Sequence, residues 1–365
     1  MLALLAFFAW LYLFFAHGDF WKSRPELPPA TPREFPDVDI VIPARDEAET
    51  IGPVIASLLA QNYAGTFRIV LVDDNSTDGT AAMAGSAPNL LVICGQPKPA
   101  GWSGKLWALS QGSAASSAPV LLFADADVVH DPRHLSSLIA RLLQPRAEMV
   151  SEMVRLNCTS TAERALVPAF VYFFQMLYPF AKVNDPLSTV AAAAGGTLLI
   201  RREALTRIGG IEAIKNALID DLTLAKAVKP LGPIYLGHSG LATSMRRYPG
   251  FADVWRMICR TAFTQLRYST LLLTLTTAGL VLIWLVPVAE ILFGHGWRQV
   301  LGLAAFVLAA ISYMPTLARY RQSRSLSLAL PLIASFYMAA TLGSALNYWL
   351  GAGASWKNRT YGTGQ

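Results

Sequence analysis

Three long apolar stretches close the chain, at about Leu271 to Phe293, Val300 to Ala318 and Leu326 to Leu350, and none has a charge in its middle. Each comes near the roughly 20 residues that a helix needs to cross the hydrocarbon core of a bilayer, where only a helix or a closed barrel satisfies its own backbone. The loop Arg319-Tyr320-Arg321-Gln322-Ser323-Arg324 carries three arginines, whereas the loop from His295 to Arg298 carries one. Basic loops stay on the cytoplasmic side. The first stretch is therefore expected to lead out and the second to return, counting from a cytoplasmic domain before Leu271.

The opposite end is also apolar. Residues Leu2 to Ala16 are uncharged, Phe20 and Trp21 extend them, and Lys22 and Arg24 follow directly. A signal peptide needs a basic lead and a small-x-small cleavage site, and neither is present. Residues 1–21 read as a short membrane anchor, which predicts four spans with both termini outside. Lys357 and Arg359, in the tail 351–365, then lie on the outer face against the trend.

Composition agrees with a membrane protein. Hydrophobic residues make up 53% and charged residues 15% of the 365, against about a quarter charged in a typical soluble domain. The net charge of +6 comes largely from Lys and Arg beside apolar segments. That placement suits a membrane surface and excludes the continuous basic and aromatic run of a nucleic-acid footprint. Cys94, Cys158 and Cys259 are far apart without metal-ligand spacing, and they fit a reducing compartment.

Between the ends the periodicity changes. A Pro-rich segment, 22–37, reads as a stiff spacer. Short apolar runs then alternate with helical stretches: Val38 to Ile42, a helix through Ile51 to Leu59, Arg68 to Val72, a helix near Thr80, Leu90 to Cys94, a helix around Lys105 to Ala115, and Val120 to Ala124. This is the pattern of βαβ units and predicts an α/β, Rossmann-like domain with a mostly parallel sheet over 38–248. Asp131-Pro132-Arg133 reads as a helix start. Ala165 to Val183 is rich in aromatics and interrupted by Pro168 and Pro179, so it is expected to lie at the membrane interface, with a buried core helix as the alternative. Residues 249–268 form a basic, aromatic segment next to the first C-terminal span.

The acidic residues gather where apolar runs stop. Asp125-Ala126-Asp127 follows Val120 to Ala124 directly. In open α/β sheets that edge binds ligands, and two carboxylates one residue apart suit a hard divalent cation. They suit a strand-to-loop turn equally well. Asp73 and Asp74 stand at the next strand end, where Asp78-Gly79 also signals a turn. Asp220 and Asp221 open a helix, as the macrodipole alone favours. Lys105 follows a Gly-containing turn at a helix start, either to meet an anion there or to be solvated.

Taken together, five landmarks in order across 38–268 resemble the family 2 glycosyltransferases: Val41-Ile42-Pro43-Ala44-Arg45-Asp46-Glu47, Val72-Asp73-Asp74-Asn75-Ser76-Thr77-Asp78-Gly79-Thr80, Gly101-Trp102-Ser103-Gly104-Lys105, Asp125-Ala126-Asp127 and Ile219-Asp220-Asp221. The run Gly101-Trp102-Ser103-Gly104-Lys105-Leu106-Trp107-Ala108, with an anchor and three closing spans, looks like the hopene-associated members, near relatives of carotenoid and ceramide glycosyltransferases. The resemblance implies a GT-A nucleotide-sugar fold. It implies donor contacts from Pro43, Arg45, Asp46, Glu47, Asp73, Asp74, Lys105 and Asp125, and Mg2+ or Mn2+ on Asp127 and Asp125. Asp221 is implied as the base that deprotonates the acceptor hydroxyl, with Asp220 standing where Glu is usual. Direct displacement inverts the anomeric centre.

One landmark departs from the family. Many processive members carry Gln-x-x-Arg-Trp, and here the order is Gln265-Leu266-Arg267-Tyr268. Arg267 and Tyr268 are carried over as donor-side residues, and the departure argues against a polymer-extruding synthase. The implied protein sits in the inner (cytoplasmic) membrane and moves one sugar from a nucleotide-sugar, with UDP as nucleotide, to a hopanoid or related lipid alcohol. A polyprenyl phosphate or ceramide-like acceptor is one alternative. A non-catalytic scaffold with a vestigial nucleotide pocket is another, opposed by the retention of every acidic landmark.

Overall fold

The apolar runs that end in acidic residues become the inner strands of one sheet. In the computed structural model, which describes residues 1–143, 146–351, 354–356 and 359–361, the chain divides into two compact units. The first combines Arg24–Asn157 with Lys182–Arg247, and the second combines Met1–Ser23, Cys158–Ala181 and the chain from Tyr248 onward.

The sheet unit holds β1 (Glu26–Leu27), β2 (Val38–Ala44), β3 (Phe67–Asp73), β4 (Leu90–Cys94), β5 (Val120–Ala124), β6 (Val128–His130), β7 (Met149–Arg155), β8 (Thr197–Arg201) and β9 (Ile234–Ser244). Their order is β1-β9-β7-β8-β5-β2-β3-β4, with β6 on β9. β2 runs parallel to β3 and β5, and β9 parallel to β7 and β1. β8 is antiparallel to both neighbours. The sheet is therefore mostly parallel, as the alternation of strands and helices predicts.

All seven residues of β2 are buried, which is why they read as a continuous apolar run rather than an alternating one. Asp39 is the exception in chemistry. Its carboxylate accepts from Arg68 Nε at 3.0 Å and from the backbone N–H of Ser117 and Ala118 at 2.7 and 2.9 Å. The helices Ala48–Leu59, Gly104–Ala114 and His134–Leu143 pack on the sheet, and a side chain at Gly112 would overlap Val41. β3 and β5 leave β2 on opposite sides, so the C-terminal ends of these three strands frame the switch point at which such sheets bind ligands.

One expectation for this unit is corrected. The Pro-rich segment is not only a spacer, because Glu26–Leu27 adds a strand beside β9. An edge position tolerates the neighbouring proline, which donates no N–H. The helix expected at Asp131-Pro132-Arg133 is present over His134–Leu143, and the Asp131 carboxylate accepts the Arg133 N–H at 2.9 Å, as an N-cap does.

In the helical unit, three helices among the described residues are long and apolar enough to cross a membrane: Thr270–Phe293, Trp297–Arg319 and Arg324–Trp349. The expected fourth span is not among them. The N-terminal helix, Leu2–Phe15, has 14 residues, or about 21 Å at 1.5 Å per residue, against a hydrocarbon core of roughly 30 Å. It is held inside its unit by Trp10, whose indole N–H donates to the Ile283 carbonyl at 2.7 Å and whose ring meets Trp284 edge-on at 5.0 Å.

The aromatic stretch after Ala165 also differs from expectation. Helix Thr161–Leu177 runs through Pro168 without ending. Its Leu166, Ala169 and Tyr172 are buried with Trp284, Tyr313 and Ile333, and Tyr172 Oη bonds Ser312 Oγ at 2.6 Å. It is a core helix of the helical unit rather than an interfacial one. Residues 158–181 thus interrupt the sheet unit in sequence and fold with the other unit. Lys357, expected outside the membrane, falls outside the described residues.

Candidate active site

The loops after β2 and β3 are laced together by their own acids. Asp46, at φ +50°, accepts from the Thr77 N–H at 2.9 Å, while the Asp46 N–H donates to Ser76 Oγ at 3.0 Å. Asp78 accepts from the N–H groups of Ala48 and Thr80, and Thr80 Oγ1 accepts from the Glu47 N–H at 2.8 Å. The Asp73 carboxylate takes the N–H of Ser76 at 3.1 Å and its hydroxyl. Arg45 donates to the Asp74 carbonyl at 2.6 Å, and the Asp74 side chain is buried beside it. These charges are largely consumed in shaping the loops.

A second set of acids faces inward. Ser103 caps helix Gly104–Ala114, accepting from the Leu106 N–H at 3.2 Å, and so presents Lys105 at the first turn. Lys105 Nζ lies 2.9 Å from Asp125 Oδ1, just past β5, and 3.1 Å from Asp220 Oδ2, at the start of helix Asp220–Val228. Lys105 is therefore the hub of the group and not a solvated lysine. Asp221 stands next to Asp220, and a side chain at Gly195 would lie 3.2 Å from its Oδ2 and 3.4 Å from Lys105 Nζ, so glycine keeps this corner open. Pro43, Phe123, Lys105, Asp125, Gly195, Asp220 and Asp221 line one cleft.

Three carboxylates around one ammonium leave excess negative charge in a half-buried cleft. Burial, then the neighbouring Asp220 charge, pushes Asp221 up to about 7. Burial also raises Asp125, with Lys105 opposing and Asp127 assisting. Burial disfavours the ammonium of Lys105, but Asp125 and Asp220 outweigh it and hold Lys105 above its ordinary value. An acid poised near neutrality is what proton abstraction from a hydroxyl requires.

The second aspartate of the DxD pair has a partner that the sequence did not announce. β6 leaves Asp127 and pairs antiparallel with the end of β9, Val128 opposite Ser244. The Met245 N–H donates to the Asp127 carbonyl at 2.7 Å. Arg246 is thereby delivered to the side chain: its Nε is 2.5 Å from Asp127 Oδ2 and its Nη2 is 3.0 Å from Glu47 Oε1. Beneath β6, His130 Nδ1 meets His134 Nδ1 at 2.9 Å, and His134 Nε2 meets Glu152 Oε2 at 2.5 Å. Burial, with His134 alongside, keeps His130 well below the usual histidine range. Neither Arg246 nor this network carries a local signal, because the contacts depend on strand pairing.

Residues 39–209 match the family model described as Glycosyl transferase family 2. This segment is a family 2 glycosyltransferase domain. An uncharacterized glycosyltransferase of Mycobacterium tuberculosis is 32% identical over 105 residues, covering 29% of this chain and 43% of that protein. Beta-monoglucosyldiacylglycerol synthase of Synechocystis sp. is 26% identical, covering 65% and 54%. The chain spans about half the length of these curated relatives. A mannosyltransferase of Pyrobaculum calidifontis, solved with GDP-Man and Mn2+, superposes with a TM-score of 0.55 at 19% identity, covering 94% of this chain and 99% of that one. That likeness establishes the GT-A fold.

No group of three or more His, Cys, Asp or Glu among the described residues is arranged to hold a metal, and Asp125 and Asp127 are each ion-paired. Their carboxylates suit Mg2+ or Mn2+ in chemistry, provided phosphate oxygens and water complete the shell. Arg267 and Tyr268 belong to the helical unit. Both have positive φ, at +53° and +55°, and Tyr268 stacks on Tyr348 at 4.6 Å.

Proposed function

We propose that the protein is a membrane-bound, inverting glycosyltransferase that moves one sugar from a nucleotide-sugar, with UDP as nucleotide, to a lipid alcohol of the hopanoid or related isoprenoid class. The observation that carries the reading is the Lys105 cluster, in which Asp125 at the DxD strand end and Asp220 share one ammonium beside Asp221, poised near neutrality. In this reading Asp221 takes the acceptor proton as the hydroxyl attacks the anomeric carbon. Asp220 and Lys105 orient that corner. Asp127 and Asp125 would hold Mg2+ or Mn2+, which when bound would supply Lewis-acid neutralisation of the leaving diphosphate. Pro43, Arg45, Asp46, Glu47, Asp73 and Asp74 shape the nucleotide side, with Arg267 and Tyr268 as further donor-side candidates.

Three candidate spans support a water-insoluble acceptor, as does a relative whose name specifies a diacylglycerol product. The wording around Gly101 to Ala108 supports the hopanoid class. The deciding experiment pairs two variants of detergent-purified protein. Asp127→Asn is expected to lose Mn2+-dependent UDP binding, whereas Asp221→Asn keeps binding and loses turnover; equal loss of binding in both contradicts the assignment. Comparing the lipids of cells with and without the protein tests the acceptor. A hexosylated hopanoid that disappears supports the reading, and a hexosylated polyprenyl phosphate that disappears replaces it.

A further inference from the structure

We infer that Arg246 is an exchangeable counter-cation of Asp127, which must leave that carboxylate for a divalent cation to take it and which then serves the diphosphate of the donor. This deepens the proposed function and rests on it. The observation is the bridge itself. The Asp127 side chain is 8% exposed and that of Glu47 is 12% exposed. Carboxylates so far from water require a positive partner. Arg246 supplies it to both, at 2.5 Å from Asp127 Oδ2 and 3.0 Å from Glu47 Oε1, with one guanidinium spanning the loop after β2 and the loop after β5.

A divalent cation on Asp127 needs the same carboxylate and is repelled by a guanidinium in contact with it. Occupation by Arg246 and occupation by a cation are therefore alternatives. Arg246 is not buried deeply in this position, since 36% of its side chain remains exposed, so it can swing without unpacking the core. Its backbone stays fixed, because the Met245 N–H holds the Asp127 carbonyl and the Arg246 N–H donates to Ser244 Oγ at 3.2 Å. A guanidinium tethered within reach of the DxD edge and released from its acid offers the planar fork that pairs best with phosphate oxygens. The bridge thus couples cation entry to nucleotide entry, with the cation alone held weakly until a diphosphate draws Arg246 away.

The test uses full-length protein in detergent, with Mn2+ binding followed by electron paramagnetic resonance of the free ion and UDP binding followed by calorimetry at saturating Mn2+. Arg246→Gln is expected to bind Mn2+ alone at least fivefold more tightly than wild type, and UDP at least tenfold more weakly. Arg246→Lys, a point charge that reaches one carboxylate at a time, is expected to have an Mn2+ affinity between the two. An Mn2+ affinity in Arg246→Gln that is unchanged or weaker overturns the inference. Where Arg246→Gln does not fold, Arg246→Lys decides alone, and an affinity no tighter than wild type overturns it. The two readings fail differently: wild type that binds neither Mn2+ nor UDP refutes the donor site, whereas wild type that binds both, beside an unchanged Arg246→Gln, refutes only the role of Arg246.

Discussion

Two groups of aspartates stand at the same edge of one sheet and are used in opposite ways. Asp46, Asp73 and Asp78 accept from backbone N–H and hydroxyl groups and close the loops after β2 and β3. Asp125, Asp220 and Asp221 surround a single lysine. Backbone donors are neutral and fixed, so the first group carries its charge without strain and holds shape. The second group has too little positive charge for its number of acids, and one of them retains its proton to near neutrality. Excess charge in a cleft is what a transferred proton or an incoming cation can relieve.

The sharpest way to break this contrast is Asp221→Asn. Turnover is expected to fall by roughly 10²- to 10⁴-fold, the usual contribution of a positioned base, while UDP affinity stays within about twofold of wild type by the same argument. Steady-state kinetics beside calorimetry checks it; parallel loss of both returns Asp221 to a structural role.

The next effect is on pH. As the proposed base, Asp221 has to be ionised to accept a proton, and burial with the Asp220 charge beside it pushes it up to about 7. Turnover should therefore rise with pH through that region and fall about tenfold per unit below it. Stability runs the other way. The folded state keeps the proton that the unfolded chain loses near pH 4, so stability falls as pH rises from about 4 to about 7. Asp221→Asn should flatten that dependence in thermal melts recorded across the window.

The smallest effect belongs to the loop group. Thr80→Val removes the acceptor of the Glu47 N–H at a fully buried position, which costs about 1–3 kcal/mol of stability. Thermal unfolding is expected to report that loss while turnover with saturating donor changes little. A large loss of turnover at full folding would erase the distinction between the two groups.

Much of this edge is legible before any folding is considered. Val38 to Ile42, Arg68 to Val72 and Leu90 to Cys94 are short, apolar and punctuated by turn residues, so their strands follow from local chemistry. The acids after the first two of these runs, and after Val120 to Ala124, are legible for the same reason. Which acid is charged, paired or poised is not legible, because it depends on neighbours far away in sequence. Lys105 gives no sign that Asp220 will face it. Arg246 reads as part of a basic stretch beside a membrane segment, and only the pairing of β6 with β9 turns it toward Asp127.

The same division applies to the helical unit. Length and apolarity alone determine that three C-terminal helices suit a bilayer, because a hydrocarbon slab tests each segment by itself. They do not determine what an apolar segment packs against. Leu2–Phe15 looks like a span and is a short helix pinned by Trp10, and the aromatic helix Thr161–Leu177 leaves its neighbours in sequence to join that core. Sequence by itself therefore determined the strands from β2 to β5, the three C-terminal candidate spans and the positions of the acids, all of which depend on nearby residues. Only the tertiary structure decided the pairing of Arg246 with Asp127 and the sharing of Lys105, because electrostatic environment is set by distance in space.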